Sequence, residues 1–419
     1  MPLKSYDIAV FGASGFTGQL VCRYLFSESR KEGFSFVPVG RDREKVEKKM
    51  KEVGVEVEEV LVAESGDEEA LRGVVKRCKV VISLVGPYMK RGYPLVKVCA
   101  EEGVHYTDLT GETPFVFHSA DRFSRAALDS KALILHACGF DSIPSDLCTF
   151  LAVQKLKSLG EGVQAGKVRS GFKAKGGVSG GTVGTLFDLL EAPKEDQKRT
   201  SHPYALSPVK GAHNPWPVSV ASSTFRGQRT YGSLWIMGPF NSQIVRRSWG
   251  ILESADPSSR LLSYGKNFEY NEYLTMKSPF RALLLSLTLF TGFAALVCLP
   301  PIRWLAKRYG PQSGDGPSKE DQEKGWFEVS TVAKSDDAKY EARAVMKGKG
   351  DPGYSATALM ISSAALCLLK DHDRLPRLAQ RGGHLTPATA LGKVLVERLE
   401  KTGRFSFEVE GGEEGRKER

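Results

Sequence analysis

Short apolar runs alternate with stretches of helical spacing through the first third of the chain. The runs at 7–11, 34–39, 58–63, 80–85, 104–108 and 132–137 read as strands, and 17–30, 42–52, 67–77, 92–102 and 114–129 read as helices. Strands that alternate with helices pair in parallel, and right-handed crossovers then put helices on both faces of one sheet. After Gly139-Phe140-Asp141-Ser142-Ile143-Pro144 another helix is predicted, running to about residue 159. The pattern then changes. From 166 to 249, short apolar runs are broken by Gly-, Ser- and Pro-rich turns, which predicts a mixed or antiparallel sheet with a helix near 182–191. The polar, Gly/Pro-rich stretch 310–324 predicts a mobile loop. Strands at 326–332 and 340–347 and helices at 353–369 and 387–401 follow. The fold class is α/β: an N-terminal Rossmann-type doubly wound parallel sheet and a second α/β domain with a mixed sheet. The domains are read as 1–145, 146–350 with a hydrophobic insertion at 280–302, and 351–419 as C-terminal helices.

The glycines carry the first chemistry. The strand ending at Phe11 runs into Gly12-Ala13-Ser14-Gly15-Phe16-Thr17-Gly18. Gly12 lets the chain leave the strand tightly, Gly15 lets backbone amides approach a pyrophosphate, and Gly18 allows close helix–strand packing; the helix N-terminus then faces the anion. A purely structural strand–helix turn is the competing reading. The second strand ends in Gly40-Arg41 where a NAD-preferring site usually carries Asp or Glu on the ribose hydroxyls. A guanidinium there can clamp a 2′-phosphate, so the cofactor is NADP. Arg43 and Lys45 can extend that patch, although Asp42 and Glu44 between them suit an ordinary solvated helix start.

With 419 residues the chain suits two sizeable cores, and 59 basic against 49 acidic residues give a net charge of +10. That charge favours a cofactor phosphate, an acidic substrate or an anionic membrane surface. Nucleic acid is not expected, because the basic residues are dispersed among acidic ones and no recognition motif is present. Cys22, Cys78, Cys99, Cys138, Cys148, Cys298 and Cys367 have no metal-ligand spacing and read as buried thiols in a reducing compartment. A strand beginning at residue 7 leaves no room for a cleavable leader, so the protein is expected to face the cytosol. Ala282 to Leu299 carries no charge and is flanked by Lys277 and Arg281 before it and Arg303, Lys307 and Arg308 after it. This length is at the lower edge for crossing a bilayer. A true span would separate 303–419 from the Rossmann domain, so the segment is read as a helix or hairpin embedded from one side, with Pro300-Pro301 as its stop and Gly292 as a possible bend. A buried core or homodimer-interface helix is the alternative.

Five motifs together carry a family likeness: Gly-Ala-Ser-Gly-Phe-Thr-Gly at 12–18, Gly-Arg at 40–41, Val-Gly-Pro-Tyr at 85–88, His-Tyr-Thr-Asp-Leu-Thr-Gly-Glu at 105–112 and Gly-Phe-Asp-Ser-Ile-Pro-Ser-Asp at 139–146. With Asp-Pro-Gly-Tyr at 351–354 and Gly-Gly-His-Leu-Thr-Pro-Ala-Thr-Ala-Leu-Gly at 382–392, the set resembles the saccharopine dehydrogenase-like oxidoreductases over nearly the whole chain. The resemblance implies an NADP-binding Rossmann domain, a second α/β domain and C-terminal helices that return to the first. Within the group the chain is most similar to the eukaryotic membrane- or lipid-droplet-associated branch and to bacterial trans-acting enoyl reductases, which implies a lipid-linked substrate, a place in lipid or glycolipid metabolism and a membrane or lipid-droplet location, with the mitochondrion as an alternative.

Hydride transfer needs a nicotinamide held against a carbon acceptor and often a proton donor nearby. Gly86 and Pro87 follow the fourth strand at the ligand-binding edge and can wall the cofactor, while Tyr88 offers a phenol or packs as a core tyrosine. Asp108 and Glu112 close the next strand and can orient substrate or ribose, or cap a helix. Asp141 and Ser142 precede Pro144 and read either as caps or as cofactor and substrate contacts. Tyr88, Asp108 and Asp141 are thus the candidate catalytic groups. Gly176 to Thr182 is a second glycine-rich segment, either an anion site or a flexible hairpin. Tyr93 and Lys97 have short-chain-dehydrogenase spacing but follow the wrong strand, and are read as coincidence. Arg226, Arg229, Arg246 and Arg247 form no assignable carboxylate clamp of the kind saccharopine turnover requires. Two functions follow: an NADP(H)-dependent oxidoreductase on a hydrophobic, acyl or lipid-linked substrate, or a nicotinamide-binding scaffold or sensor without turnover.

Overall fold

The computed structural model describes residues 5–176, 187, 193–211, 220–309 and 319–414. Its first sheet is parallel throughout. Strands β1 (Ile8–Phe11), β2 (Phe36–Gly40), β3 (Leu61–Val62), β4 (Val80–Ser83), β5 (His105–Asp108), β6 (Leu133–Leu135) and β13 (Gly383–Leu385) lie in the order β13-β6-β5-β4-β1-β2-β3. The period-two alternation of β1 explains its place at the centre. Ile8 and Val10 point into one core with Ile82, Leu133 and Leu135, while Ala9 and Phe11 point into the other with Val37, Val81 and Ile134. The strand order reverses between β1 and β4, the position where open α/β sheets leave a crevice at their carboxyl edge.

Helices α1 (Phe16–Glu32), α2 (Arg43–Glu52), α3 (Glu68–Val75), α4 (Tyr88–Arg91), α5 (Tyr93–Glu102) and α6 (Thr113–Ser130) make the crossovers, close to the ranges predicted. The predicted third strand, 58–63, contracts to two residues at the sheet edge. Helix α7 (Ile143–Lys157) lies against the second sheet, with Cys148, Ala152 and Leu156 fully buried.

The second sheet is mixed, in the order β14-β12-β11-β7-β10-β9-β8. It comprises β7 (Ala165–Lys175), β8 (Val220–Phe225), β9 (Gln228–Ser233), β10 (Glu269–Met276), β11 (Trp326–Ser335), β12 (Tyr340–Lys349) and β14 (Phe405–Glu413), with β7 and β10 parallel and the other pairs antiparallel. Its Val168, Phe172, Phe327 and Val329 join β1, α1 and α7 in one continuous core.

Three expectations change. The stretch 238–249, read as part of a strand-rich region, belongs to helix α8 (Gly238–Ser254). Its polar Asn241 and Ser248 are buried in hydrogen bonds to Glu272 and Asp146, so the helix has no clean polar face to mark it in sequence. The region 351–419 contributes β13 to the first sheet and β14 to the second as well as helices, among them α11 (Thr357–Lys370) packed on α1 and α12 (Gly392–Lys401). Residues 319–324, placed in a mobile loop, form a short helix. Residues 310–318 and, apart from 187, the predicted helix 182–191 lie outside the described residues.

Helix α9 (Pro279–Cys298) is capped by Ser278 and runs straight through Gly292; the chain turns at Leu299-Pro300 into α10 (Pro300–Tyr309). Arg303 closes that corner by donating to the Leu296 and Val297 carbonyls at the end of α9. Only Ala282 and Ser286 of α9 are buried, although the helix is long and apolar enough to cross a membrane. Its flanking strands β10 and β11 both pair with β7 in one sheet. The segment 352–370 also passes that test of length and composition, but it is mostly buried core.

Candidate functional site

A cavity of about 1070 Å³ opens at the carboxyl edge of β1 and β4 and brings together most of the predicted cofactor residues. Gly12, Ser14, Gly15, Phe16, Thr17 and Gly18 line it at the start of α1. Gly12 needs its left-handed φ of 82°, and a Cβ on Gly18 would lie 2.2 Å from the Gly12 carbonyl oxygen. Gly15 is different: it has an ordinary extended conformation, and a Cβ there would meet only the Gly12 oxygen at 3.3 Å. Space for a ligand, rather than the fold, explains a glycine at 15. The first-turn amides of α1 have no intrahelical acceptor and present an anion site.

Gly40 and Arg41 follow β2 on the same cavity wall. The Arg41 guanidinium is exposed and makes no hydrogen bond or ion pair among the described residues, so it is available to a phosphate. Asp42 caps α2 by accepting the Lys45 amide at 3.0 Å. The loop Ala63-Glu64-Ser65-Gly66 after β3 faces Arg41 across this end of the cavity, a contribution the sequence reading missed. Gly86 and Pro87, joined by a cis peptide bond, form the wall after β4.

The three candidate catalytic groups have different surroundings. Tyr88 borders the cavity, yet its hydroxyl donates to the Ser83 carbonyl at 3.0 Å and accepts the Leu109 amide at 3.3 Å. Burial, reinforced by Asp108, pushes its phenol well above the ordinary range, which disfavours proton release. Asp108 is fully buried and faces inward. One carboxylate oxygen accepts the Thr110 and Ala137 amides at 3.1 and 3.0 Å, and the other accepts His136 Nδ1–H at 2.7 Å. It therefore holds the two loops at the cavity floor and has no open face for substrate or ribose. Glu112 caps a helix other than its own, accepting the Tyr88 and Met89 amides at 2.8 and 2.7 Å at the start of α4.

Asp141 is the exception. It lines the cavity, its carboxylate has no hydrogen-bond partner among the described residues, and neither it nor Ser142 caps α7. Ser142 donates instead to Asn241 Oδ1 at 3.2 Å. Desolvation raises the Asp141 carboxyl to about 6. A desolvated carboxyl titrating near neutrality in a cofactor cleft is suited to moving a proton.

Behind the floor, one set of proton positions satisfies a buried chain. His136 Nε2 accepts from Ser119 Oγ at 2.9 Å, Ser119 Oγ accepts from His384 Nε2–H at 3.0 Å, and His384 Nδ1 accepts from Ser124 at 3.2 Å. Burial, with His136 and Arg247 beside it, keeps the His384 ring well below its ordinary value. The chain fastens β13 to α6 and Asp108.

The other end of the cavity is apolar and was not foreseen. Phe140, Leu234, Trp235, Met237 and Phe240 line it with Leu289 and Phe293 of α9. Tyr354 closes the cofactor side, packed edge-to-face on Phe16 at 4.9 Å within a π-helical turn at Pro352–Ala356. The available sequence signal was the 4-3-4 spacing of Ala282, Ser286, Leu289 and Phe293, which puts them on one helix face. Residues 177–182 of the second glycine-rich segment lie outside the described residues. Tyr93 and Lys97 do not line the cavity, and Lys97 pairs with Glu68 at 2.8 Å. Arg246 and Arg247 donate to the backbone carbonyls of Tyr270 and His384, and Arg226 pairs with Glu410, so none of them reaches the cavity.

Comparison with known proteins agrees with this geometry. Residues 8–135 match the saccharopine dehydrogenase NADP binding domain. A Mycobacterium tuberculosis protein provisionally named a trans-acting enoyl reductase is 34% identical, over 96% of each chain. The trans-acting enoyl reductase of Mycobacterium ulcerans is 30% identical over 96% of this chain and 97% of its own. Among solved structures, the apo saccharopine dehydrogenase (L-Glu forming) of Saccharomyces cerevisiae superposes with a TM-score of 0.50 at 12% identity, covering 97% of this chain and 100% of that one, a likeness of fold.

Proposed function

Because this chain belongs to the saccharopine dehydrogenase-like oxidoreductases, in the group that includes the mycobacterial trans-acting enoyl reductases, we propose that this NADP-binding oxidoreductase transfers hydride to or from a hydrophobic, acyl or lipid-linked substrate at a membrane or lipid-droplet surface. One observation carries the reading: a single cavity joins the dinucleotide cradle at Gly12–Gly18 to an apolar end lined by Met237, Phe240, Leu289 and Phe293. An apolar extension suits an acyl chain; a dicarboxylic amino acid needs a cluster of arginines, and Arg226, Arg246 and Arg247 are bound elsewhere, which leaves Arg91 on the cavity wall beside the cofactor's Arg41.

When bound, NADPH would supply the hydride for reduction and NADP+ would accept it in the reverse direction. The chain's residues would supply the rest: the α1 amides would hold the pyrophosphate, Arg41 would pair with the 2′-phosphate, and Gly86 and Pro87 shape the wall. The names of the relatives point to reduction of an enoyl group. In that reaction hydride adds to the β-carbon, and the electron pair it displaces takes a proton at the α-carbon from Asp141, which regains it from solvent. The membrane reading is supported by the exposed apolar face of α9, and by β10 and β11 sharing one sheet, which favours embedding from one side over a span.

The test is oxidation of protein-bound NADPH by fractions of a lipid extract, followed by product identification. Oxidation by an acyl-lipid fraction is the expected result. Tight NADPH binding with no oxidation by any fraction would replace this reading with that of a silent nicotinamide-binding scaffold, which the structural engagement of Tyr88 and Asp108 favours.

A further inference from the structure

We infer that the active-site cavity is fed directly from a lipid leaflet, through a rim formed by Ile236 and Phe293. The inference rests on the membrane-surface reading above and adds the route and the residues that control it. Phe293 and Ile236 both line the cavity and keep 42% and 48% of their surface accessible, unlike Phe240, which lines it at 7%. Exposed large apolar residues at a cavity mouth are costly in water and unproblematic in lipid.

The geometry of α9 makes it the wall between the two spaces. Ala282 and Ser286 bury one stripe of the helix; Leu289 and Phe293 continue that stripe onto the cavity. An adjoining stripe, about a quarter turn round the helix, carries Leu283, Leu287 and Phe290, which are 46%, 52% and 65% exposed. Ser286 accepts the Leu234 amide at 2.9 Å, so the loop bearing Ile236 is fastened to the helix that bears Phe293 and the two sides of the rim stay together. From the same loop, Trp235 and Met237 continue inward along the cavity.

The surface that meets this rim is committed by charge. No acidic residue occurs from 273 to 309, whereas Lys277, Arg281 and Arg308 are exposed around the apolar face, and Arg308 stacks over Trp304 and Tyr309 at 5.3 and 5.8 Å. Cations flanking both ends of an apolar helix, with aromatic rings stacked on one of them, match the interface of an anionic phospholipid leaflet. With α9 lying in that leaflet, an acyl chain passes from lipid to cofactor without crossing water.

The test uses the full chain on vesicles of phosphatidylcholine and phosphatidylserine that contain a diazirine-bearing palmitic acid, with adducts located by peptide mass spectrometry. Adducts are expected on Trp235 or Met237 as well as on the outward Leu283, Leu287 and Phe290. Phe293→Arg, at an exposed site, should reduce the inner adducts at least fivefold while NADPH affinity and the outer adducts persist. Ile236→Arg should do the same from the other side of the rim and leaves α9 untouched, so it decides the matter should Phe293→Arg detach the helix from lipid. Outer adducts without inner ones, or inner adducts undiminished in Ile236→Arg, would overturn the route while leaving the membrane reading intact. No adduct on α9 at all would overturn both.

Discussion

The Tyr88 hydroxyl donates to the carbonyl of Ser83, 3.0 Å away, and so ties the start of α4 back to the end of β4. A phenol held this way, and also accepting the Leu109 amide, is a positioning group for the wall at Gly86-Pro87. Tyr88→Phe should cost about 1–3 kcal/mol of stability, since a buried amide loses its acceptor, and leave NADPH affinity and turnover within a few-fold of wild type. Denaturant titration and steady-state kinetics measure both. A collapse of turnover with unchanged stability would restore Tyr88 as a proton donor.

Arg41 should set cofactor choice, because its unpaired guanidinium ends β2 where a NAD site would carry a carboxylate. Arg41→Ala should weaken NADPH by about 1.5–3 kcal/mol, on the order of 10- to 100-fold in Kd, with little change for NADH. Calorimetric titration of both nucleotides is the check; equal wild-type affinities would remove Arg41 from the site.

Two glycines of the cradle should separate binding from folding. A side chain at 15 makes one tight contact within the fold, 3.3 Å from the Gly12 carbonyl oxygen, and has no space beside a pyrophosphate, so Gly15→Val should give a folded protein that binds NADPH at least tenfold more weakly. Gly18→Ala would place its Cβ against the Gly12 carbonyl at 2.2 Å and should lower the melting temperature instead.

Asp141 predicts a pH dependence. Its carboxyl titrates near 6 in the folded protein, above the ordinary unfolded value of about 4, so folding favours the protonated form. The resulting penalty is absent below about 4, grows as pH rises to about 6 and stays full above it. Asp141→Asn should therefore melt higher than wild type at neutral pH, and the difference should vanish in acid. As proton donor, Asp141 should also make wild-type turnover fall as pH rises through about 6, and the Asn variant should lose turnover at every pH while retaining NADPH. A variant with full activity would move the proton to water.

Replacing 280–302 with a short linker should release a folded, NADPH-binding protein from membranes or lipid droplets, because α9 contributes little to the core beyond Ala282 and Ser286. Fractionation and flotation are the measurements. Continued membrane association would place the anchor elsewhere, and protease cleavage on opposite membrane faces before and after the segment would establish a span.

Local pattern determined much of this protein. The alternation of apolar strands and amphipathic helices made the parallel sheet legible, because β1, β2 and β4 are buried on both faces and read as unbroken apolar runs. The phosphate cradle was legible for a similar reason: Gly12, Gly15 and Gly18 act through backbone geometry within a few residues of one another. What only tertiary structure decided depends on partners distant in sequence. β13 is three residues long and joins β6 from some 250 positions away, held by the His384–Ser119–His136–Asp108 chain, a pairing with no local signal. α8 stayed hidden because its polar residues face buried partners instead of water. The roles of the carboxylates were likewise set by packing, since Asp108 ends one strand and Asp141 follows the next, and no local signal separates them. Only the fold closes Asp108 against His136 and two amides while leaving Asp141 open to the cavity. The same assembly brings Phe293 onto one cavity with a dinucleotide cradle formed some 275 residues earlier, and burial, a property of the whole fold, decides which of these groups reaches a ligand.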